Sequence, residues 1–130
     1  MPHVLIIDDD PQFRLMLAET FRDEGFEVSE APDGKKGIQS HRKAPADIAI
    51  IDMIMPEQEG VETIIKFRKD FPGVPVIAVS GGGRLSPTSY LELARRVGAA
   101  CTFSKPFDRK HFVAAVHELL DTQTKNRPSA

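Results

Sequence analysis

The chain has one cysteine, one tyrosine and no tryptophan, and none of its apolar runs is long enough to cross a membrane. A single thiol, Cys101, excludes an internal disulfide, and its apolar neighbours favour a buried structural cysteine. The apolar run near the N-terminus, residues 4–7, is too short for a signal-peptide core. We therefore expect a cytoplasmic protein with no membrane insertion.

No strong excess of either charge is present. The 17 Lys and Arg residues and 19 Asp and Glu residues give a net charge of -2, and the basic residues are scattered along the sequence. Nucleic-acid binding through a broad basic surface is therefore not expected. With 130 residues, 41% of them hydrophobic and 28% charged, the composition is typical of one folded globular domain.

Short apolar runs alternate with stretches of helical periodicity, a pattern typical of parallel sheets flanked by helices. Two of the runs, residues 4–7 and 48–51, are apolar without alternation, as strands covered on both faces must be. The pattern predicts five βα units. The predicted strands are His3 to Ile7, Glu27 to Ala31, Ile48 to Ile51, Val76 to Val79 and Ala100 to Ser104.

The first helix has clear start and stop signals. Asp10 is a good N-cap, Pro11 suits the first helical position, and Gly25 offers a left-handed stop. Further helices are expected from about Asp33 and Gly60.

A final helix is indicated by apolar residues at helical spacing between positions 112 and 120. The residues that follow are polar, so we divide the chain into one domain, 1–121, and a frayed C-terminal tail, 122–130. No output domain is expected behind this tail.

Chemically active side chains follow the predicted strands. In an open parallel sheet, ligands bind at the carboxyl ends of the strands, so these residues should meet at one edge. They are Asp8, Asp9 and Asp10 after the first strand, Asp52 after the third, Ser80 and three glycines after the fourth, and Lys105 after the fifth.

Carboxylates that converge at this edge repel one another by roughly 1 kcal/mol per pair in water and about 4 kcal/mol at a partly shielded surface. A bound cation would relieve that repulsion. Oxygen ligands without a nearby His or Cys favour a hard ion such as Mg²⁺, and we propose Asp8, Asp9 and Asp52 as its carboxylates. Asp10 is better placed to cap the helix, although a ligand role stays open.

With a cation bound, one carboxylate of this trio can attack a phosphoryl donor and form an acyl phosphate. Phosphoryl transfer then needs positioning and charge neutralisation. The Lys105 ammonium would supply charge, and the Ser80 hydroxyl would hydrogen-bond a phosphoryl oxygen.

Four motifs in order, residues 5–10, 50–56, 79–81 and 103–107, resemble those of the receiver domain of bacterial two-component response regulators. The resemblance covers roughly residues 2 to 121. It implies an α/β fold with a doubly wound, five-stranded parallel sheet of order 2-1-3-4-5. The sheet would lie in a flavodoxin-like three-layer sandwich with five helices.

The resemblance also implies a role for each site residue. Asp52 would be the phosphoacceptor. Mg²⁺ would be bound by Asp8, Asp9, Asp52 and the backbone carbonyl of Ile54. Ser80 would be the switch hydroxyl and Lys105 the contact to the phosphoryl group, with a cis bond before Pro106.

Two features depart from the family pattern. Thr102 stands where the family often has an aromatic switch residue, and Phe103 should point to the opposite side of its strand, into the core. The run Gly81-Gly82-Gly83 permits unusual backbone conformations. We expect this loop and the following helix to change conformation on phosphorylation.

The expected function is that of a stand-alone response regulator. It would take a phosphoryl group from a sensor histidine kinase or a histidine phosphotransfer protein, catalyse its own phosphorylation and slow dephosphorylation, and switch partner binding. Regulating a target, shuttling phosphate in a relay and acting as a phosphate sink stay open as roles. Ile54 and Gly82 offer no group to guide a hydrolytic water, which predicts a long-lived phosphoaspartate.

Three other interpretations are open. The chain could be a phosphate-independent interaction module of the same fold, or a receiver fragment of a longer regulator. The three glycines could instead belong to a nucleotide-binding domain of flavodoxin type, although neither the P-loop nor the dinucleotide pattern is present.

Overall fold

The computed structural model describes residues 2–55, 59–81 and 87–126, and within them strands and helices alternate strictly. The elements are β1 (His3–Ile7), α1 (Pro11–Asp23), β2 (Glu27–Ala31), α2 (Gly34–Lys43), β3 (Ile48–Asp52), α3 (Glu59–Asp70), β4 (Val76–Ser80), α4 (Pro87–Arg96), β5 (Cys101–Ser104) and α5 (Arg109–Asn126). The five predicted βα units are confirmed, and the strand ends differ from those predicted by at most one residue.

The five strands form one sheet in the order β2-β1-β3-β4-β5, and all neighbours are parallel. This confirms the predicted doubly wound topology. The chain starts at β1, which is second from one edge of the sheet, forms that edge with β2 and then crosses back to β3. The carboxyl ends of β1 and β3 are therefore adjacent at the point where the winding direction changes, which is where such folds bind ligands.

Two apolar clusters, one on each face of the sheet, explain why the central strands have no polar alternation. Leu5 and Ile7 of β1 pack with residues of α2, α3 and α4, whereas Val4 and Ile6 pack with residues of α1 and α5. A strand covered on both faces requires apolar side chains at every position. The result is the expected sandwich of helices, sheet and helices.

Helix α1 begins and ends at the residues that its sequence indicates. The Asp10 carboxylate accepts hydrogen bonds from the backbone N–H groups of Gln12 at 3.0 Å and Phe13 at 3.3 Å, and Pro11 is the first helical residue. Gly25 follows the helix with φ of +91°, a conformation that a side chain would strain. Because the helix starts directly after Asp10, Asp8 and Asp9 stay in the short loop between β1 and α1.

Helix α5 is longer than the sequence predicts. It continues through residues 122–126, which we assigned to a frayed tail. The Thr122 hydroxyl donates a hydrogen bond to the Glu118 carbonyl at 2.9 Å, as a helical threonine can. Polar residues do not end a helix, and the first breaker is Pro128, which lies outside the described residues. The domain boundary at Asp121 stays a prediction.

Candidate functional site

Three carboxylates meet at the carboxyl edge of the sheet. Asp8 and Asp9 follow β1, and Asp52 is the last residue of β3. One oxygen of each carboxylate lies within 4.8 Å of one oxygen of the other two. Asp8 and Asp52 are buried and Asp9 is exposed, so the group faces solvent on one side only. The structure therefore brings together the three carboxylates that the sequence proposed.

The environment of Asp52 strongly disfavours its charge. Burial, helped by the neighbouring Asp8 carboxylate, raises the pKa of this carboxyl to about 7, although the Ile54 N–H at 3.0 Å and the Lys105 ammonium oppose the shift. Such a pKa marks a carboxyl that is shielded from water and lies beside a second carboxylate. A divalent cation or a reaction that consumes the carboxylate charge would relieve it.

Lys105 is the cation of this pocket. Its ammonium lies 3.1 Å from Asp8 Oδ2 and 3.6 Å from Asp52 Oδ2, and it also lies 3.8 Å from the centre of the Phe13 ring. Its backbone N–H donates to the Ser80 carbonyl at 2.7 Å. The expected cis bond between Lys105 and Pro106 is present. The lysine is thus held by its backbone as well as by its side chain.

Gly81 leaves the space that Lys105 occupies. A Cβ on Gly81 would lie 2.7 Å from Lys105 Cβ and 2.8 Å from its Cδ, closer than carbon atoms pack. The sequence suggested only flexibility for this glycine. In the structure, the missing side chain of Gly81 lets the Lys105 stem pack directly against the backbone of residue 81.

Asp8 is positioned by one hydrogen bond to its carboxylate and one to its backbone carbonyl. The Asp10 N–H donates to Asp8 Oδ1 at 2.9 Å, and Arg14 Nη1 donates to the Asp8 carbonyl at 2.6 Å. Arg14 is in turn paired with Glu30, whose Oε1 lies 3.4 Å from Arg14 Nε. Asp10 itself is used as the helix cap. The carboxylate of Asp8 therefore points into the pocket on a short, braced segment.

Ser80 and Ile54 lie beside the carboxylates. Ser80 is buried at the end of β4, one residue beyond Val79, which pairs with Asp52 in the sheet register. Ile54 is half-buried and its N–H is bonded to Asp52. The hydroxyl role of Ser80 and the metal-binding role of the Ile54 carbonyl stay predictions.

Phe103 and Thr102 face opposite sides of β5. Thr102 pairs with Ala78, which belongs to the cluster under α2, α3 and α4, and Phe103 pairs with Val79, which belongs to the other cluster. The Phe103 ring packs against Phe112 at 4.7 Å between centroids. Phe103 is core, as predicted. Gly82 and Gly83 lie outside the described residues.

The histidines that the structure describes stand apart from this pocket. His41 is the most buried of them. Its Nδ1 accepts the Ala46 N–H at 3.0 Å, and its ring contacts Phe67 and Phe71. Burial lowers the pKa of His41, which favours the neutral ring, and because Nδ1 accepts the Ala46 N–H, the neutral ring carries its proton on Nε2. This agrees with a structural role for the residue.

An apolar cleft adjoins the pocket and was not anticipated. It has a volume of about 450 Å³, and its walls include Phe13, Met16, Lys105 and Phe107. A signal was nevertheless present, because the first turn of a helix that directly follows Asp10 must lie at the carboxyl edge of the sheet.

A doubly wound parallel sheet with three carboxylates and a lysine at its carboxyl edge defines a class of signalling receiver domains. A family model described as the response regulator receiver domain matches residues 4–117. The chain belongs to this family.

Relatives of known name span nearly the whole chain. The sporulation initiation phosphotransferase F of Bacillus subtilis is 28% identical over 117 residues, which are 90% of this chain and 92% of that protein. The chemotaxis protein CheY of Thermotoga maritima is 30% identical over 117 residues, 89% of this chain and 95% of that protein. A CheY-like receiver structure from Methanospirillum hungatei covers 98% of this chain and 99% of its own, with 27% identity and a TM-score of 0.88.

Other relatives are much longer than the chain. It covers 33% of the probable transcriptional regulatory protein TcrX of Mycobacterium tuberculosis, at 31% identity, and 26% of the transcriptional regulatory protein GlrR of Escherichia coli, at 29% identity. The receiver family therefore includes both short proteins and parts of long ones.

Proposed function

We propose that this receiver domain accepts a phosphoryl group on Asp52 from a histidine kinase or a histidine phosphotransfer protein. The observation that carries the proposal is the position of Asp52, between the carboxylates of Asp8 and Asp9 and the Lys105 ammonium at 3.6 Å. Asp52 is a nucleophile at the end of a rigid strand, and the groups around it can compensate the charge of a phosphoryl group.

Mg²⁺ fits the donor set of this pocket. Asp8, Asp9 and Asp52 offer only oxygen atoms, two of the carboxylates are buried and one is open to solvent, and burial together with the Asp8 carboxylate raises the pKa of Asp52. These residues, with the Ile54 carbonyl, would hold the ion. When bound, it would neutralise charge on the carboxylates and on the phosphoryl oxygens.

The reaction proposed for the side chains is an in-line displacement. A carboxylate oxygen of Asp52 forms a bond to phosphorus, the bond between phosphorus and the donor imidazole nitrogen breaks, and the imidazole leaves with the electron pair. The Lys105 ammonium, 3.1 Å from Asp8 before the reaction, is close enough to pair with the new phosphoryl oxygens. Ser80, buried beside this position, would supply a hydroxyl hydrogen bond.

The apolar cleft suits the approach of the phosphodonor. Its walls include Lys105 and Gly81, so a protein surface seated in it lies next to the phosphoacceptor. The rings of Phe13 and Phe107 make these walls largely apolar. A donor that brings its histidine to Asp52 would bury these side chains.

We further propose that the chain works as a stand-alone regulator in the cytoplasm. Relatives that match nearly end to end support this, whereas longer relatives support a receiver joined to other domains. No helix in the described part of the chain is long and apolar enough to cross a membrane. Target regulation, relay transfer and a phosphate sink all use the same pocket.

The decisive experiment is intact mass spectrometry after incubation with acetyl phosphate, with and without Mg²⁺. We expect a gain of one phosphoryl group that requires Mg²⁺ and is absent from Asp52→Asn. Asp33→Asn is the matched control, because Asp33 caps α2, is not one of the three clustered carboxylates, and asparagine is also a good cap. If neither acetyl phosphate nor a phosphorylated donor protein modifies the folded wild-type chain, a phosphate-independent interaction module is the better interpretation.

The phosphorylated protein should lose its phosphoryl group slowly. Ile54, beside Asp52, is aliphatic, and Gly82, which lies outside the described residues, has no side chain to orient a water molecule. The measurement is the decay of the phosphorylated mass after the donor is removed. Rapid decay without a phosphatase would contradict this prediction.

A further inference from the structure

Charge is distributed unevenly over the molecule, although its net charge is close to zero. Helices α2 and α3 carry seven Lys or Arg residues and three Asp or Glu residues, a net charge of +4. The whole chain has a net charge of -2, so the remaining residues carry -6. Helix α2 alone has four Lys or Arg residues and no acid.

The two helices enclose a groove with a volume of about 370 Å³. At one end Gly34 packs closely on Thr63, and a Cβ at position 34 would overlap the threonine Oγ1. An ion pair between Arg42 and Asp70, at 3.5 Å, joins the helices near the other end. Between Gly34 and Arg42 the groove runs along α2 for about 12 Å.

The walls of the groove combine cations with an apolar surface. Lys35 and Lys66 stand on α2 and α3 respectively, and Ile38 lies between the two helices. Neither lysine takes part in any of the five ion pairs found among the described residues. Gln39 adds an amide, and Glu62 is the only acid among the described residues of the wall. Ile38 is only 6% exposed, so the groove offers two exposed ammonium groups above a floor where the edge of one aliphatic side chain is accessible.

We propose that this groove, lined by α2 and α3, docks a short acidic segment of a partner protein. Carboxylates of the segment would pair with Lys35 and Lys66, and an aliphatic side chain between them would contact Ile38. Charge complementarity of this kind speeds association and fixes the register of the bound segment. The surface is separate from the phosphoacceptor pocket, so the proposal does not depend on phosphorylation.

The walls fit a peptide better than other anions. Inorganic phosphate is too compact to use cations on both helices together with Ile38, and both lysines are exposed rather than built into an anion cage. Nucleic acid carries uniform negative charge, which Glu62 in the wall and the net charge of -6 on the rest of the chain would repel. A segment with spaced carboxylates and an apolar residue avoids both conflicts.

The test is a titration of the isotope-labelled full chain, followed by NMR amide shifts, at low salt. The probe is a peptide of about eight residues, long enough in extended form to span the groove, with glutamates on both sides of a leucine pair. We expect saturable binding with the largest shifts at Gln39, Thr63 and their helical neighbours. The same peptide with glutamine in place of glutamate should not bind.

Matched variants distinguish binding in the groove from a general attraction between the peptide and basic residues. Lys35→Glu and Lys66→Glu should each weaken binding by about tenfold, whereas Lys36→Glu and Lys69→Glu, on the same helices but outside the groove walls, should change it less than about threefold. All four residues are exposed, so the fold should survive, as circular dichroism would verify.

Several results would overturn the proposal. They are an absence of saturable binding, an equal loss of peptide affinity in all four variants, amide shifts centred on the apolar cleft beside Phe13, or full competition by inorganic phosphate. An oligonucleotide that binds the wild-type chain and loses affinity with the same two variants would assign the groove to nucleic acid instead.

Discussion

Replacing Gly81 with alanine should move Lys105 out of the pocket. The nearest atoms to the added Cβ would be Lys105 Cβ at 2.7 Å and Cδ at 2.8 Å, whereas carbon atoms pack at about 3.5–4.0 Å. Lys105 Cβ is fixed to the backbone and cannot swing aside, so the stem must retreat by roughly 1 Å. The ammonium, now 3.1 Å from Asp8, would then leave hydrogen-bond range.

The size of the effect follows from this lost contact. A hydrogen bond between charged groups contributes about 1.5–3 kcal/mol, and partial exposure of Lys105 reduces this to about 1–2 kcal/mol. Alanine returns about 0.4–1 kcal/mol by restricting the unfolded chain. Gly81→Ala should therefore lower the free energy of unfolding by about 1 kcal/mol, and the phosphorylation rate should fall at least about tenfold, since misplacement by 1 Å can cost more.

Gly73→Ala is the matched control, because a Cβ on Gly73 meets no atom within 4 Å. It should keep the wild-type phosphorylation rate and be as stable as the wild type or slightly more so. Urea unfolding gives the stability difference, and intact mass against time gives the rate. If Gly81→Ala is as stable and as fast to react as Gly73→Ala, the close packing of Gly81 on Lys105 has no consequence and the reasoning is wrong.

Two predictions concern pH. The folded pKa of Asp52, about 7 without a metal, exceeds its usual value of 3.8, so the folded state holds a proton that the unfolded state releases. Without divalent ions, the free energy of unfolding should fall as pH rises from 4 to 7. At pH 8 Asp52→Asn should be more stable than the wild type by about 2–4 kcal/mol. Urea unfolding midpoints that respond equally to pH in the two proteins would refute this. The pKa of His41 is lowered by burial, so the folding stability that its neutral ring contributes should be lost as pH falls below 6.5. In His41→Gln the thermal unfolding midpoint should therefore fall less between pH 7 and pH 5 than it does in the wild type.

The strand pattern and the acidic edge could be predicted because they depend on local signals. Residues 4–7 and 48–51 are apolar throughout, a pattern typical of short strands buried on both faces. Asp8, Asp9 and Asp52 follow directly, and parallel pairing brings them to one edge. Asp10 and Gly25 indicated the ends of the first helix for equally local reasons.

What the sequence did not reveal depends on the approach of distant residues. The contact of Gly81 with Lys105 and the ring of Phe13 above the Lys105 ammonium join separate elements, and no spacing in the chain encodes them. The basic residues of α2 and α3 looked scattered because they are separated by β3 in the sequence. Their concentration emerges only when the two helices pack side by side.

The burial of β3 has a mechanical consequence. The strand is hydrogen-bonded to β1 on one edge and β4 on the other, and all five of its residues are buried. Its amides should be among the slowest in the chain to exchange with deuterium. If Asp52 is phosphorylated as proposed, the added charge would be attached to the part of the molecule least able to deform. We expect the conformational response to appear in the residues around β3 rather than in the strand itself.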